Sequence, residues 1–440
     1  MTNNFKQTDI GLIPEDWDII RAEALFNRVS DGTHDTPKKL TDGYPLVTSK
    51  YIKNGTIDIS EVDYFISKED YLEVNQRSRV DKYDILFSMI GTIGEVAIIK
   101  NDPVFSIKNI GLFKSNSFEL SEYCFYWFQS PIAKVYINNS VGGSTQKYIP
   151  LFKLRDFPIA LPKMEERKKI AHVLSKIQQA IETQEQLIKT TQELKKALMQ
   201  KLFTEGLNGE PQKQSALGGE IGLIPESWEV VEIKNCVEET QTRNPSLLPN
   251  KYIKYIDVSS VSNQSFSVVD HQYVQGIEAP GRARKVVKTD DIIFATIRPT
   301  LKRIAKIKSF YDDEYCSTAF CILRCKSKVL DHEFLFQYIR TDFFIERIGK
   351  LQSGASYPAV RDDNVKQMLI PLPQLEEQKE IARILSSLDS KIEFHSNNKI
   401  QLQDLFKTLL NQLMTGQIRV KDIEFDIDEE WESIPSGKVN

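Results

Sequence analysis

The chain has 440 residues, 41% hydrophobic and 27% charged, with five cysteines and a formal net charge of −4. That is the composition of a soluble globular protein of three or four domain-sized units, and the charge excludes a uniformly basic nucleic-acid binder. No apolar run approaches the roughly 20 residues that span a bilayer, the polar opening MTNNFKQTDIG reads as no signal peptide, and irregularly spaced cysteines fit a reducing cytoplasm.

Asp9–Asp18 reads DIGLIPEDWD, and Glu220–Glu229 returns the pattern as EIGLIPESWE, with Gly11 and Gly222 standing 211 positions apart. A repeat this long is a duplicated domain, since solenoid periods run about 20–50 residues. Each copy then holds a β-rich body. Asp84-Ile-Leu-Phe-Ser-Met-Ile-Gly-Thr-Ile-Gly leads to Glu95-Val-Ala-Ile-Ile, and Asp291-Ile-Ile-Phe-Ala-Thr-Ile-Arg-Pro leads to Ile304-Ala-Lys-Ile. Each reads as two strands joined by a Gly or Pro turn. A helix-like run follows over Ser121–Ile137 and Asp331–Ile348. Small-residue loops come next, Val141-Gly-Gly-Ser-Thr-Gln-Lys-Tyr and Gln352-Ser-Gly-Ala-Ser-Tyr-Pro, and a last strand, Phe157–Leu161 or Met368–Leu372, feeds a long helix. Each body is expected to be α/β with a largely antiparallel sheet. The helices and lead-in segments repeat closely while the bodies differ, which fits one scaffold carrying two different surfaces.

The helices organise the chain. Pro162 and Pro373 mark their starts, acidic pairs Glu165–Glu166 and Glu376–Glu377 sit in the first turns, and Gly206 and Gly416 lie just past the ends. Apolar residues Ile170, Leu174, Ile177, Ile181, Leu198 and Leu202 in the first, and Ile381, Leu385, Leu388, Ile392, Leu402, Leu409 and Leu413 in the second, follow a 4–3 seam. At 1.5 Å per residue each helix is about 60 Å long. The alternative is a core helix pair of one large globule. If the seams pair and the copies obey a pseudo-two-fold, the helices run antiparallel and the C-terminus returns to the N-terminal body. The expected division is a first body over 1–161, helix 162–205, a polar Gly-rich linker 206–219, a second body 220–372, helix 373–416, and a tail 417–440 that is acidic over Asp422–Glu432.

The search for chemistry is mostly negative. There is no Gly-x-x-x-x-Gly-Lys-Ser/Thr loop and no Gly-x-Gly-x-x-Gly opening a helix. No Asp/Asn-Pro-Pro-Tyr/Phe run of the amino-methyltransferase kind occurs. Cys316, Cys321 and Cys325 lie in a strand-like stretch and read as buried thiols rather than a metal site, and the five histidines are scattered. No catalytic or metal constellation emerges. Polar loops remain. Thr33 and His34 in Asp31-Gly-Thr-His-Asp-Thr-Pro either face a base edge or form an Asx-type turn. Ser144, Thr145, Gln146 and Lys147 combine hydroxyl, amide and cation, groups that bond adenine, guanine or phosphate. In the second body the candidates are Arg243, Asn244, Arg282, Arg284, Arg298, Arg303, Ser356 and Tyr357, within or near a basic stretch, Gly281–Lys308.

Taken together, the duplicated Gly-Leu-Ile-Pro-x-x-Trp segments, the Asp84 and Asp291 strands, the Gly142-Gly-Ser-Thr-Gln loop and the Leu-Pro-x-x-Glu-Glu-x-x-x-Ile-Ala helix starts at Leu161 and Leu372 resemble the DNA specificity subunit of type I restriction–modification enzymes. The resemblance covers nearly the whole chain, and Gly354-Ala-Ser-Tyr departs from the Gly-Ser-Thr-Gln form. It implies two target-recognition domains, each reading half of a split, asymmetric double-stranded DNA sequence. It also implies an antiparallel coiled coil that sets the spacer and docks two methyltransferase subunits, with restriction subunits completing the complex. The subunit itself is then non-catalytic and needs no cofactor, while S-adenosylmethionine, ATP and Mg2+ serve its partners. No membrane partner is expected. A stand-alone DNA-binding or adaptor protein and a structural protein with two protein-binding heads are the other readings.

Overall fold

The computed structural model describes residues 4–143, 147–214 and 222–421. Two compact units divide the chain, Met1–Thr183 with Lys399–Asn440, and Gln184–Asn398. The division cuts across both long helices, so each unit is one body plus half of each helix.

In unit 1 a four-stranded antiparallel sheet runs in the order Val96–Ile98, Ile85–Ser88, Ile110–Lys114, Arg28–Asp31. Its central strands are continuously apolar because both faces are covered. Ile85 and Phe87 face a core built with Tyr123, Trp127 and Phe128, whereas Leu86 faces a second core with Val47 and Leu112. This is the two-residue alternation of a pleated strand. In unit 2 the same order recurs as Ile304–Lys306, Ile292–Ala295, Phe320–Cys325, Val237–Glu238. Ile292 and Phe294 again face one core and Ile293 and Ala295 the other. Cys316 and Cys321 are fully buried strand residues, as the sequence suggested, whereas Cys325, at the strand end, is half-buried.

The motif aspartates brace these sheets. Asp84 accepts bonds from the Asp81 and Ser115 amides at 2.7 and 3.0 Å and from Lys114 Nζ at 2.7 Å. Asp291 accepts from the Lys288 amide at 2.7 Å and from Arg324 Nε and Nη2 at 2.8 and 2.7 Å. Burial pushes the Asp84 carboxyl up, against the pull of Lys114 and the amides.

The bodies diverge in the second sheet. Unit 1 has three strands, with Ser106–Ile107 parallel to Tyr44–Val47 and Phe65–Ile66 on its other side. Unit 2 keeps the parallel pair as Glu314–Ser317 and Tyr252–Ile256, and adds Ala283–Val287 outside Glu314–Ser317. In unit 1 the helix Lys68–Ser78 packs on the corresponding strand instead.

The joints between body and helix repeat closely. Asp18–Arg21 pairs with Pro158–Leu161, and Glu229–Glu232 pairs with Leu369–Leu372. Trp17 Nε1 donates to Glu166 Oε2 at 3.2 Å, and Trp228 Nε1 donates to Glu377 Oε2 at 3.0 Å. Both indoles are buried. The helices run over Met164–Glu205 and Leu375–Met414. In unit 1, Ile170 and Leu174 share a core with Leu410, Leu413 and Met414. In unit 2, Leu202 and Phe203 share one with Ile381 and Leu385. The two helices run antiparallel there, because Lys195 bonds Asp389 at 2.6 Å and Gln184 bonds His395 at 2.8 Å. The remaining seam residues Ile177, Ile181, Leu198, Leu388, Ile392, Leu402 and Leu409 are buried or half-buried. As expected, the chain returns to the first body: Arg419 pairs with Asp16 and Glu166, both at 2.7 Å, within unit 1.

Two expectations are corrected. The helix-like runs are each two helices, Phe118–Gln129 with Pro131–Ser140, and His332–Tyr338 with Asp342–Lys350. Ser130 and Thr341 cap the second of each pair, and Pro131 has no amide hydrogen to continue the first. Part of the expected linker is structured, because Gln212–Gln214 pairs with Leu223–Pro225 just as Phe5–Thr8 pairs with Gly11–Pro14. Residues 215–219 of that linker lie outside the described residues, as do Ser144, Thr145, Gln146 and the acidic segment Asp422–Glu432.

Candidate nucleic-acid interface

Each body carries the same two-part surface element. Between the central strand and its hairpin partner lies a turn, over residues 89–94 in unit 1 and 296–302 in unit 2. A loop rises beside it. Gly142 and Tyr148 exchange both backbone bonds at 2.9 and 3.0 Å, and Ser353 and Ala359 do the same at 2.9 Å each. Tyr148 also bridges to Ile90, and Ala359 to Ile297. The described ends of the two loops, Gly142 with Tyr148 and Ser353 with Ala359, are therefore closed by the same pair of backbone bonds, despite their different letters.

The candidate side chains fall into two groups. Arg298, Ser356 and Tyr357 come together: Arg298 Nη2 donates to the Ser356 carbonyl at 3.4 Å, and its guanidinium lies 5.3 Å from the centre of the Tyr357 ring. Tyr357 is 73% exposed. Lys147, at the matching loop of unit 1, is exposed, as is Arg282. The rest are engaged in the fold. Thr33 is buried and its hydroxyl accepts from the Asp35 amide at 3.1 Å, while His34 bonds Asn109 and Asp31 at 2.8 and 2.9 Å, so this motif closes a turn. Asn244 accepts from the Ser246 amide and hydroxyl at 3.2 and 2.6 Å. Arg243 pairs with Asp313, which Arg243 and Lys288 hold well below the usual carboxylate range. Arg284 donates to the Ala283 carbonyl at 2.8 Å. Arg303 Nη1 gathers the Val258, Ser259 and Val261 carbonyls at 3.1, 3.4 and 2.5 Å.

Part of the basic stretch is thus neutralised internally. Lys285 pairs with Asp362, Lys302 with Asp342 and Lys306 with Glu333. Sequence inspection missed a different polar cluster. In unit 2, a cavity of about 550 Å³ is lined by Lys195, Phe203, Phe266, Arg340 and Asp389 among others. Asp389 bonds Lys195 at 2.6 Å, Arg340 at 3.0 Å and Gln337 at 2.8 Å. The Arg340 guanidinium lies 4.0 and 4.8 Å from the Phe266 and Phe336 rings. Burial, with Arg340 beside it, pushes the Lys195 ammonium down to about 8. Burial also pushes Asp389 up, but Arg340, Lys195 and Gln337 outweigh it and hold the carboxyl below its ordinary range. The signal was a lysine at a position the 4–3 seam reserves for an apolar residue.

Family comparison agrees with this architecture. The type I restriction modification DNA specificity domain matches residues 14–192 and again 225–404. The chain belongs to that family. A Methanocaldococcus jannaschii protein named as a type I restriction enzyme specificity subunit, MjaX, is 30% identical over 449 residues, spanning 95% of this chain and 97% of the relative. The MjaVIII specificity subunit of the same organism is 28% identical over 437 residues, covering 96% and 97%. The crystal structure of a type I restriction–modification S subunit from M. genitalium shares the fold at a TM-score of 0.57 and 16% identity, over 94% of this chain and 99% of that one. The specificity family's duplicated match starts, at residues 14 and 225, fall in the two Gly-Leu-Ile-Pro segments. Among the described residues, no helix is long and apolar enough to cross a membrane.

Proposed function

We propose that this chain is the DNA-reading subunit of a type I restriction–modification complex. Each body reads one half of a bipartite, asymmetric double-stranded target. The observation that carries this reading is a shared frame with unlike surfaces. The Trp–Glu joints, the aspartate-braced sheets and the loop closures repeat, while the second sheets and the loop sequences do not. A two-fold repeat with identical surfaces would favour a palindrome, and this one does not have them. Phosphate contacts supply affinity and base contacts supply choice, and joining two modest half-sites raises affinity through effective concentration.

The paired helices act as an antiparallel coiled coil that sets the unread spacer and docks two methyltransferase subunits. Exposed apolar residues suit docking: Leu187, Leu194 and Phe394 on the halves in unit 2, and Ile400 and Leu405 on the half in unit 1. Restriction subunits complete the cytoplasmic complex. Methylation and ATP-dependent cleavage, with S-adenosylmethionine, ATP and Mg2+, belong to the partners.

The test is methylome sequencing of cells expressing this chain with its methyltransferase partner, against cells lacking the chain. A two-part methylated motif that depends on the chain is expected. If an active partner methylates the same sites with and without it, the reading fails. Adding four residues after Thr204 should change the spacer between half-sites, and an unchanged spacer would remove the helices from that role.

A further inference from the structure

The turn beside the reading loop is built differently in the two units. In unit 1 its left-handed positions are glycines, Gly91 at φ +80° and Gly94 at φ +91°. In unit 2 the turn is one residue longer, and the corresponding left-handed positions are Arg298 at φ +49° and Lys302 at φ +54°, flanking Pro299–Leu301. Left-handed backbone strains any residue with a Cβ, and long side chains rarely occupy it. Such strain persists only where surrounding contacts fix it. Here they do: the Arg298 amide bonds the Pro358 carbonyl at 2.7 Å, and the Leu301 and Lys302 amides close the turn at 2.9 and 3.0 Å. Lys302 is further tied to Asp342 at 2.6 Å. Among the described residues, the Arg298 side chain has only the long Ser356 contact and the Tyr357 ring face. A strained backbone therefore displays one exposed guanidinium on an exposed aromatic ring.

We propose that Arg298, backed by Tyr357, is the residue with which unit 2 distinguishes a base in its half-site, and that unit 1 offers no side chain at the equivalent position, Gly91. The inference rests on the DNA-reading function proposed above. A guanidinium offers paired donors matching the acceptors on a guanine edge, and stacking on Tyr357 fixes their direction. In unit 1 a Cβ added at Gly91 meets nothing within 4 Å, so bare backbone faces open space there and leaves room for close approach by a ligand.

The strain supplies a clean experiment. Arg298→Gly removes the side chain and relieves the backbone, so its melting temperature should equal or exceed that of the parent chain. The full-length chain and the variant are each mixed with a library of randomised DNA duplexes, and the bound fraction is sequenced. The parent should enrich a two-part sequence. The variant should lose about tenfold discrimination at one base of one half-site, the scale of a single base-edge contact, with the other half-site and the spacer unchanged. Tyr357→Ala should weaken the same position less. If Arg298→Gly leaves both half-sites unchanged, or weakens all sequences equally, the assignment is wrong while the DNA-reading function stands. If the parent enriches no sequence, that function itself fails.

Discussion

Asp389 offers the sharpest test of how unit 2 is held together. Its carboxylate stands between Lys195 and Arg340, whose side chains are 7% and 9% exposed. Asp389→Ala leaves two buried cations facing each other, and breaking a buried pair costs about 3–5 kcal/mol. Lys195→Met removes one of the cations, fills the same space, and leaves Asp389 bonded to Arg340 and Gln337. That change should cost within about 1 kcal/mol at pH 7 or stabilise the unit. Acidity separates the two further. The folded Lys195 loses its proton near 8, whereas an unfolded lysine keeps it to about 10.4. At this group the unfolded chain therefore binds more protons across that window, so the Lys195 contribution to stability rises with pH there, by at most about 3 kcal/mol, and Lys195→Met removes that contribution relative to the parent chain. Hydrogen exchange read on amides of Leu198–Phe203 and Ile381–Leu388 reports unit 2 alone. Asp389→Ala should accelerate it about a hundred- to several-thousand-fold where exchange follows unfolding of the unit. Acceleration below about fivefold, or a pH dependence of stability in Lys195→Met identical to that of the parent, would refute this account of the cluster.

Other tests address the joints and the DNA surface. A Cβ at Gly416 would stand 2.2 Å from Pro14 Cγ at φ +67°, whereas at Gly206 its nearest neighbour is the movable Glu377 Oε1 at 3.0 Å. Gly416→Ala should therefore cost about 2–3 kcal/mol and Gly206→Ala about 1, read from thermal unfolding. Glu166→Gln weakens the contact to buried Arg419 as well as that to Trp17, so it should cost about 2–3 kcal/mol, and Trp17→Phe about 1, by urea titration. Arg282→Ala should weaken binding to all DNA sequences and lower the salt slope by about 1, measured by titration at several salt concentrations. Arg303→Ala should instead lower the melting temperature of the free protein, because its guanidinium holds three carbonyls.

The frame was legible because it is periodic and doubled. A 211-residue offset places Trp17 over Trp228 and Glu166 over Glu377, and both indole–carboxylate bonds form. The central strands were legible as apolar runs. The split of each helical run was missed because Ser130–Pro131 and Thr341 read as interior residues until their caps are seen. The polar hairpin at Gln212–Gln214 has no apolar alternation to announce it, and is held by backbone pairing and the Lys213 bond to the Glu226 carbonyl at 2.6 Å. In and near the basic stretch, charge alone did not show which side chains are already paired. Arg243, Lys285 and Lys306 are basic in sequence, but each meets a carboxylate that lies tens of residues away along the chain. Local composition cannot report such pairing.

Gaps in the helix seam carry a related lesson. Gln184 and His395 occupy equivalent positions of the two copies, both where the 4–3 pattern calls for an apolar residue, and they bond each other at 2.8 Å. Lys195 occupies another such gap and finds Asp389, whereas its equivalent, Phe406, fills the position with a ring 6.0 Å from that of Tyr126. A polar residue in a seam lowers stability but rejects shifted registers, because any slip leaves it without its partner. For helices proposed to fix a DNA spacer, register is the property that matters. A one-turn slip would displace the pairing by about 5.4 Å, more than one base pair of about 3.4 Å. The seam's polar pairs thus exchange some stability for a fixed register, which a uniformly apolar seam would hold less firmly.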